Sequence, residues 1–236
     1  MCGICGVYQY RSGERVSEQL LRDMLGVIRH RGPDDEGVYI DKDLALGVHR
    51  LSIIDLAGGK QPIWNEDKSV VVVSNGEIYN YRELTEQLQQ RGHVFTTAVD
   101  TEVIVHLYEE SGEDCVHELR GMFAFAVWDV CNRRLFLARD RLGIKPLYYT
   151  QIDQGLVFGS EIKAILQHPK VQARMRLESL SNYLSLRYVP APQTMFADIF
   201  AVPPGHTLTC DQESITLRSY WNLAFASNEN NQGSDQ

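Results

Sequence analysis

Residues 123–140 read FAFAVWDVCNRRLFLARD: two apolar runs, 123–130 and 134–140, parted only by Cys131, Asn132 and Arg133. A parallel crossover takes a dozen or more residues, so a link this short makes the two runs a hairpin, and at least part of the sheet is antiparallel. A purely parallel, Rossmann-like sheet is thereby disfavoured. Working outward, similar runs recur in GICGVYQY from Gly3, LALGVHRLSII from Leu44, VVVVSN from Val70, LYYT from Leu147 and LVFGS from Leu156. Helical patterns lie between them. SEQLLRDMLGVIRHR starts at Ser17, YRELTEQLQQRG runs from Tyr81 to a closing Gly92, TEVIVHLYEESG starts at Thr101, and SEIKAIL opens on Ser160 as N-cap. The class is mixed α and β, without internal repeats or a Pro/Gly-rich linker before the tail. The tail, residues 228–236 (NENNQGSDQ), lacks apolar residues and reads as a disordered linker or cut end.

Composition narrows the function. Acidic residues outnumber basic ones 31 to 23, for a formal charge of −8 without a long run of either sign, so the phosphate-neutralising patch of a nucleic-acid binder is missing. No apolar stretch is long enough for a membrane span, and MCGICGVYQY lacks the basic-then-apolar layout of a signal peptide. Five scattered cysteines are a poor disulfide framework. Together these features lead us to expect a cytoplasmic protein. The seven histidines, His30 and His49 among them, show no metal-binding spacing and are read as structural or surface groups. DLAGGKQ and GICG fall short of a Walker A loop and a dinucleotide fingerprint, so no nucleotide site is inferred.

Cys2 follows the initiator Met, and removal of Met1 would put a free α-amine on the same residue as a thiol. That amine, with a pKa of about 7.7–8.0, can take the proton of a thiol of pKa about 8.5, so nucleophile and base need only one residue. The plain alternative is an ordinary residue at a frayed terminus. The strand-like GICGVYQY argues against fraying, since it would hold Cys2 at a sheet end. Cys2-Gly3-Ile4-Cys5 also fits C-x-x-C, but residues three apart on a strand point to opposite faces and no second C-x-x-C exists, so Cys5 reads as core.

Asn75-Gly76 is, on its own, the dipeptide of a type I′ turn. The alternative is an oxyanion hole built from the Asn75 amide and the Gly76 N–H, glycine letting the backbone approach a substrate. Arg50, Glu77 and Asp100 stand at strand ends. Taken singly they read as a surface salt bridge, a solvated turn residue and an N-cap for the helix from Thr101. Taken together, one cation, two anions, two oxyanion donors and a nucleophile suffice to recognise an α-amino acid and attack its side-chain amide.

The chain resembles the class II glutamine amidotransferases, and among them the N-terminal part of asparagine synthetases. The resemblance is carried by MCGICG, RHRGPDDEG from Arg29, HRLSIIDL from His49, QPIWNED from Gln61, SNGEIYNYREL from Ser74, DTEVI from Asp100, LRGMFAFAVWD from Leu119, ARDRLGIKPLYY from Ala138, GSEIKAIL from Gly159 and RYVPAPQTMFADIFAVPPGHTL from Arg187. It implies a four-layer αββα sandwich of the N-terminal-nucleophile hydrolase type, with two antiparallel sheets between helical layers. It also implies Cys2 as nucleophile, Asn75 and Gly76 as oxyanion hole, Arg50 as ligand of the glutamine carboxylate, Glu77 and Asp100 as contacts of its amine, and backbone near Ile53 lining the same pocket. The expected unit is a glutaminase domain over residues 1–227, acting on L-glutamine without a cofactor, with homodimerisation allowed. The pyrophosphate loop of an ATP-dependent synthetase domain does not occur in the sequence. ATP and magnesium are therefore expected only in an absent synthetase domain or subunit, which would receive the ammonia. Two further readings stay open: a silent glutamine-binding or assembly domain, and an amide hydrolase for another substrate.

Overall fold

Strands with apolar residues on both faces need cover on both sides, and this requirement shapes the molecule. The computed structural model describes residues 1–11, 14–51, 59–153 and 155–224. Ile53 and the tail 228–236 lie outside the described residues. The strands form two sheets, each of six. The first contains β1 (Gly3–Tyr8), β2 (Asp35–Asp41), β3 (Leu44–Arg50), β8 (Tyr148–Ile152), β9 (Gly155–Gly159) and β10 (Phe200–Ala201), in the order β10-β8-β9-β1-β3-β2. The second contains β4 (Ile63–Trp64), β5 (Val70–Ile78), β6 (Gly121–Asp129), β7 (Arg134–Arg139), β11 (His206–Cys210) and β12 (Ile215–Ser219), in the order β12-β11-β7-β6-β5-β4. Every pairing between these strands is antiparallel. The β6–β7 hairpin is the one expected from residues 123–140, with Trp128 opposite Leu135 and Val127 opposite Phe136.

Alternation along β5, β6 and β7 divides their side chains between two apolar layers. Val71, Val73, Ala126, Trp128 and Leu137 meet Ile4, Tyr8, Leu46 and Phe158 of the first sheet in the central layer. Val72, Phe125, Val127 and Phe136 face the other way, under Leu84 and Leu88 of α2 (Tyr81–Gln90) and Val103, Ile104 and Leu107 of α3 (Glu102–Ser111). On the outer face of the first sheet, Cys5, Val7, Ala45 and Val157 pack under α1 (Glu18–Gly26) and the short α4 (Ile162–Ile165). Helix, sheet, sheet and helix therefore form four layers, as the resemblance implied.

Two details differ from expectation. Ser160 does not cap α4, which begins at Ile162 with Glu161 flanking it. Instead the Ser160 hydroxyl accepts from the Ile4 N–H at 3.0 Å, while its own N–H donates to the Ile4 carbonyl at 2.8 Å. The hydroxyl thus serves β1, where a backbone donor is buried and must be met. A second departure is α5 (Leu177–Leu186), which the sequence reading passed over. Its leucines at 177, 184 and 186 face solvent, and only Ser179 is buried.

Trp128 ties the two sheets together. It is fully buried, its ring meets Tyr8 edge-on at 4.9 Å, and the Arg133 guanidinium lies 5.2 Å above it. Trp128→Ala is expected to cost about 3–5 kcal/mol of stability, read as a lower denaturation midpoint at unchanged m-value in urea unfolding.

Candidate active site

Cys2 precedes β1, the strand flanked on both sides in the middle of the first sheet. Gly3 pairs with His49, so Cys2 and Arg50 are the next residues outward on neighbouring antiparallel strands. The Cys2 Sγ accepts from the Leu51 N–H at 3.4 Å and lies 3.8 Å from the Leu51 carbonyl. The Cys2 carbonyl accepts from Arg31 Nε at 3.0 Å. Arg31 is itself held by Glu161, 3.0 Å from Nη1, and His30 and Lys163 reach the same carboxylate at 2.8 and 3.0 Å. Burial alone would raise the Glu161 pKa, but hydrogen bonds from Arg31, Lys163 and His30 outweigh it and bring it to about 2. Gly3 makes room for this clamp, since a Cβ there would stand 2.9 Å from Arg31 Cδ.

Arg31 is a positioning residue that the sequence reading missed. Its one local sign was the adjacent cation run in RHR, which by itself suggests a surface. The other cysteines sit apart: Cys5, Cys115 and Cys210 are buried and Cys131 is exposed, on the loop between β6 and β7. Burial pushes the Cys5 and Cys115 thiols well up and that of Cys210 to about 12. These three are core groups rather than nucleophiles.

Asn75 and Gly76 are not a turn. They lie inside β5, opposite Ala124 and Phe123 of β6, and neither has the positive φ that a type I′ turn needs. Gly76 must be glycine because an added Cβ would stand 2.4 Å from the Met122 carbonyl oxygen and 2.6 Å from Phe123 Cα. The neighbouring strand by itself imposes this constraint, one that the sequence reading did not foresee. The Asn75 side chain is fully buried, and neither its Oδ1 nor its Nδ2 has a hydrogen-bond partner among the described residues. A buried polar group left unmet costs about 1–3 kcal/mol, so this amide stands ready for a partner that the described residues do not supply.

Arg50 is buried at the end of β3, which removes the surface salt bridge reading. Its guanidinium lies against Gly59, where a Cβ would come within 2.7 Å of Nη2. Asp100 is also buried, and its Oδ2 accepts from the Ile78 N–H at 2.6 Å. It does not cap a helix: α3 begins at Glu102, flanked by Thr101, without a side-chain cap. Desolvation raises the Asp100 pKa, against the pull of hydrogen bonds from Ile78 and Thr101. Glu77 is raised as well, by desolvation first and then by the nearby Asp100, with Lys145 opposing. Two neighbouring carboxylates lining one pocket, Asp100 raising Glu77, are an arrangement suited to a cation.

Cys2, Arg50, Gly76, Glu77 and Asp100 line one small pocket, together with Leu51, Gly59, Gln61, Val99 and Thr101. Asn75 stands next to it in β5. Gln61 is a further residue that sequence reasoning missed: its amide pairs with the Ser74 backbone, Oε1 accepting from N–H at 2.6 Å and Nε2 donating to the carbonyl at 3.2 Å. A larger cleft lies elsewhere, lined by residues including Thr150, Lys170, Arg174 and Asp198. It has more room but no nucleophile, and the smaller pocket gathers the chemistry.

Known proteins resemble this chain to different depths. Residues 1–221 match the family described as the glutamine amidotransferase domain. "Asparagine synthetase [glutamine-hydrolyzing] 3" of Bacillus subtilis is 41% identical over 226 residues, covering 94% of this chain and 37% of that protein. "Asparagine synthetase [glutamine-hydrolyzing] 2" of Oryza sativa is 45% identical over 166 residues, 70% of this chain and 28% of that protein. The chain thus spans about a third of the length of the curated relatives it matches. Among solved structures, glutamine phosphoribosylpyrophosphate amidotransferase from B. subtilis superposes with a TM-score of 0.66 at 19% identity, over 93% of this chain and 49% of that one, a likeness of fold. By sequence along nearly its whole described length, and by its paired antiparallel sheets, the chain belongs to the glutamine amidotransferases, in the class II branch.

Proposed function

We propose that the domain hydrolyses glutamine to glutamate and ammonia through a γ-glutamyl thioester on Cys2. The observation that carries this reading is the pocket that joins a thiol, a buried guanidinium and two mutually repelling carboxylates. The guanidinium suits the α-carboxylate and the carboxylate pair the α-ammonium of an amino acid. A substrate held at both charges has its side chain left to reach the thiol.

Met1 is exposed, which favours its removal and leaves the α-amine on Cys2. That amine takes the thiol proton, and the thiolate attacks the side-chain amide carbon. Asn75 and the Gly76 N–H stabilise the oxyanion. The α-ammonium then protonates the departing nitrogen, the C–N bond breaks, and ammonia leaves a thioester behind. Water, deprotonated by the same amine, adds to the thioester and releases glutamate with the thiol restored. The chemistry asks for no cofactor in this domain.

The ammonia acceptor belongs to the same proposal: a synthetase-like domain or subunit, the place for ATP and magnesium. The outward-facing leucines of α5, with Met175 and Tyr188 beside them, support such a partner, since an apolar helix face in water is where a second surface docks. Free thiols throughout the described residues support a cytoplasmic setting.

Three outcomes are expected. Intact-mass analysis should show loss of Met1 and one adduct of 6-diazo-5-oxo-norleucine on Cys2, and Cys2→Ala should abolish both the adduct and glutaminase turnover. A domain that binds glutamine yet never labels would be a silent binding module, and one that turns over another amide faster, indifferent to Arg50→Ala, would be a different hydrolase. Asn75→Ala should lower kcat by about 100–1,000-fold with little change in KM. The carboxylate pair gives a stability test. The Asp100 pKa is raised by folding, so its ionised form costs stability at neutral pH, and that cost vanishes as pH falls and the group takes up its proton. Asp100→Asn should therefore raise Tm at neutral pH, with the gain shrinking towards about pH 4, while glutamine affinity by calorimetry falls.

A further inference from the structure

We propose that Glu66, His93, His106 and Glu109 form a binding site for a divalent cation of the zinc class, on the helical layer over the second sheet. One ligand atom from each lies within 4.8 Å of every other. His106 Nδ1 stands 3.4 Å from Glu66 Oε2, and His93 Nδ1 stands 3.6 Å from both Glu66 Oε1 and Glu109 Oε2. A tetrahedral ion with bonds of about 2.0–2.1 Å sets its ligands about 3.3–3.4 Å apart. These separations are long for hydrogen bonds and near the co-ligand spacing, and the wider pairs, within 4.8 Å, would close around an ion.

His106 is the observation that asks for an ion. It is fully buried, and neither ring nitrogen has a hydrogen-bond partner among the described residues. A shared proton would draw an imidazole and a carboxylate to hydrogen-bond distance, whereas a metal between them holds them where they are. Two carboxylates and two neutral imidazoles also supply two negative charges, enough to neutralise a divalent cation. The outer groups fit as well. His93 Nε2 meets Glu110 Oε1 at 3.2 Å, a carboxylate behind the ring that turns its other nitrogen inward, and His106 Nε2 faces the Glu102 carboxylate at 3.8 Å. Asn65 Nδ2 donates to Glu109 Oε2 at 3.2 Å, and the Val94 N–H donates to Glu66 Oε1 at 2.5 Å. Arg91, the neighbouring cation, is engaged by Glu110. Glu66 and Glu109 are partly exposed, which leaves an entry path.

The four ligands come from three parts of the chain: the turn after β4, the loop after α2, and α3, where Glu102, His106 and Glu109 share a face. Gly92, at φ +105°, reverses the chain after α2 and delivers His93 to that face. No local spacing announces such a set, and the sequence reading accordingly took these histidines as structural. An ion here would pin the loop whose far end is Asp100.

The test uses the full chain carrying Cys2→Ala and Cys131→Ser, so that accessible thiols do not compete, stripped with chelator and then dialysed against Zn²⁺ alone. One zinc per chain is expected, with nitrogen and oxygen but no sulfur neighbours in X-ray absorption, and a Tm that rises with zinc and returns with EDTA. Glu110→Gln, which leaves all four ligands in place, should weaken binding by about tenfold. The exposed-side pair His93→Gln and Glu109→Gln should abolish stoichiometric uptake with an unchanged circular dichroism spectrum. If that pair unfolds the domain, the graded loss in Glu110→Gln decides. Failure of the parent to retain zinc, or retention unaltered by these substitutions, overturns the site.

Discussion

The pairing of β1 with both β3 and β9 is the constraint on which the active site depends. A chain terminus ordinarily frays, because it has few buried contacts to oppose its entropy. Here the first strand is placed in the middle of a sheet, bonded on both sides and buried on both faces. Ser160 fastens Ile4 from one side, and Arg31, backed by Glu161, fastens the Cys2 carbonyl from the other. The proposed nucleophile, next to β1, thereby gains the rigidity usually reserved for the interior.

Against that rigid frame stand groups that folding alone would not choose. Asn75 is buried with its amide unmet among the described residues, and Glu77 and Asp100 share a hollow at the cost of mutual repulsion. Local departures of this kind cluster where a structure is organised for a ligand. The four-layer core supplies the stability against which they are set. Trp128, Tyr8 and their neighbours between the sheets are fully buried, with both outer faces covered by helices.

The segment 91–109 joins the two sites described above. Its middle supplies Asp100 to the pocket beside Cys2, while His93 near one end and His106 and Glu109 near the other supply the proposed cation site. The backbone between them is short and tied at Glu102, whose carboxylate accepts from the N–H groups of Thr96 and Thr97. A change in how the outer end is held thus has a direct covalent route to the inner one.

By sequence alone, much was determined. The short link in residues 123–140 required an antiparallel hairpin, since chain length limits what two strands can do. The strand after Cys2, and the set Cys2, Arg50, Gly76, Glu77 and Asp100 that shares one pocket, were also legible, because residue chemistry and ordered motifs survive without coordinates. What the tertiary structure decided were matters of pairing and burial between distant segments. Asn75-Gly76 has the dipeptide of a turn but lies in a strand, because β6 offered its backbone to pair with, and that cross-strand gain outweighs local propensity. Ser160 and Asp100 look like caps in one dimension and serve β1 and β5 in three. Arg31 gave no sign of its place under Cys2, nor His93 and His106 of theirs side by side, since spacing along a chain carries no distance between elements that only packing brings together.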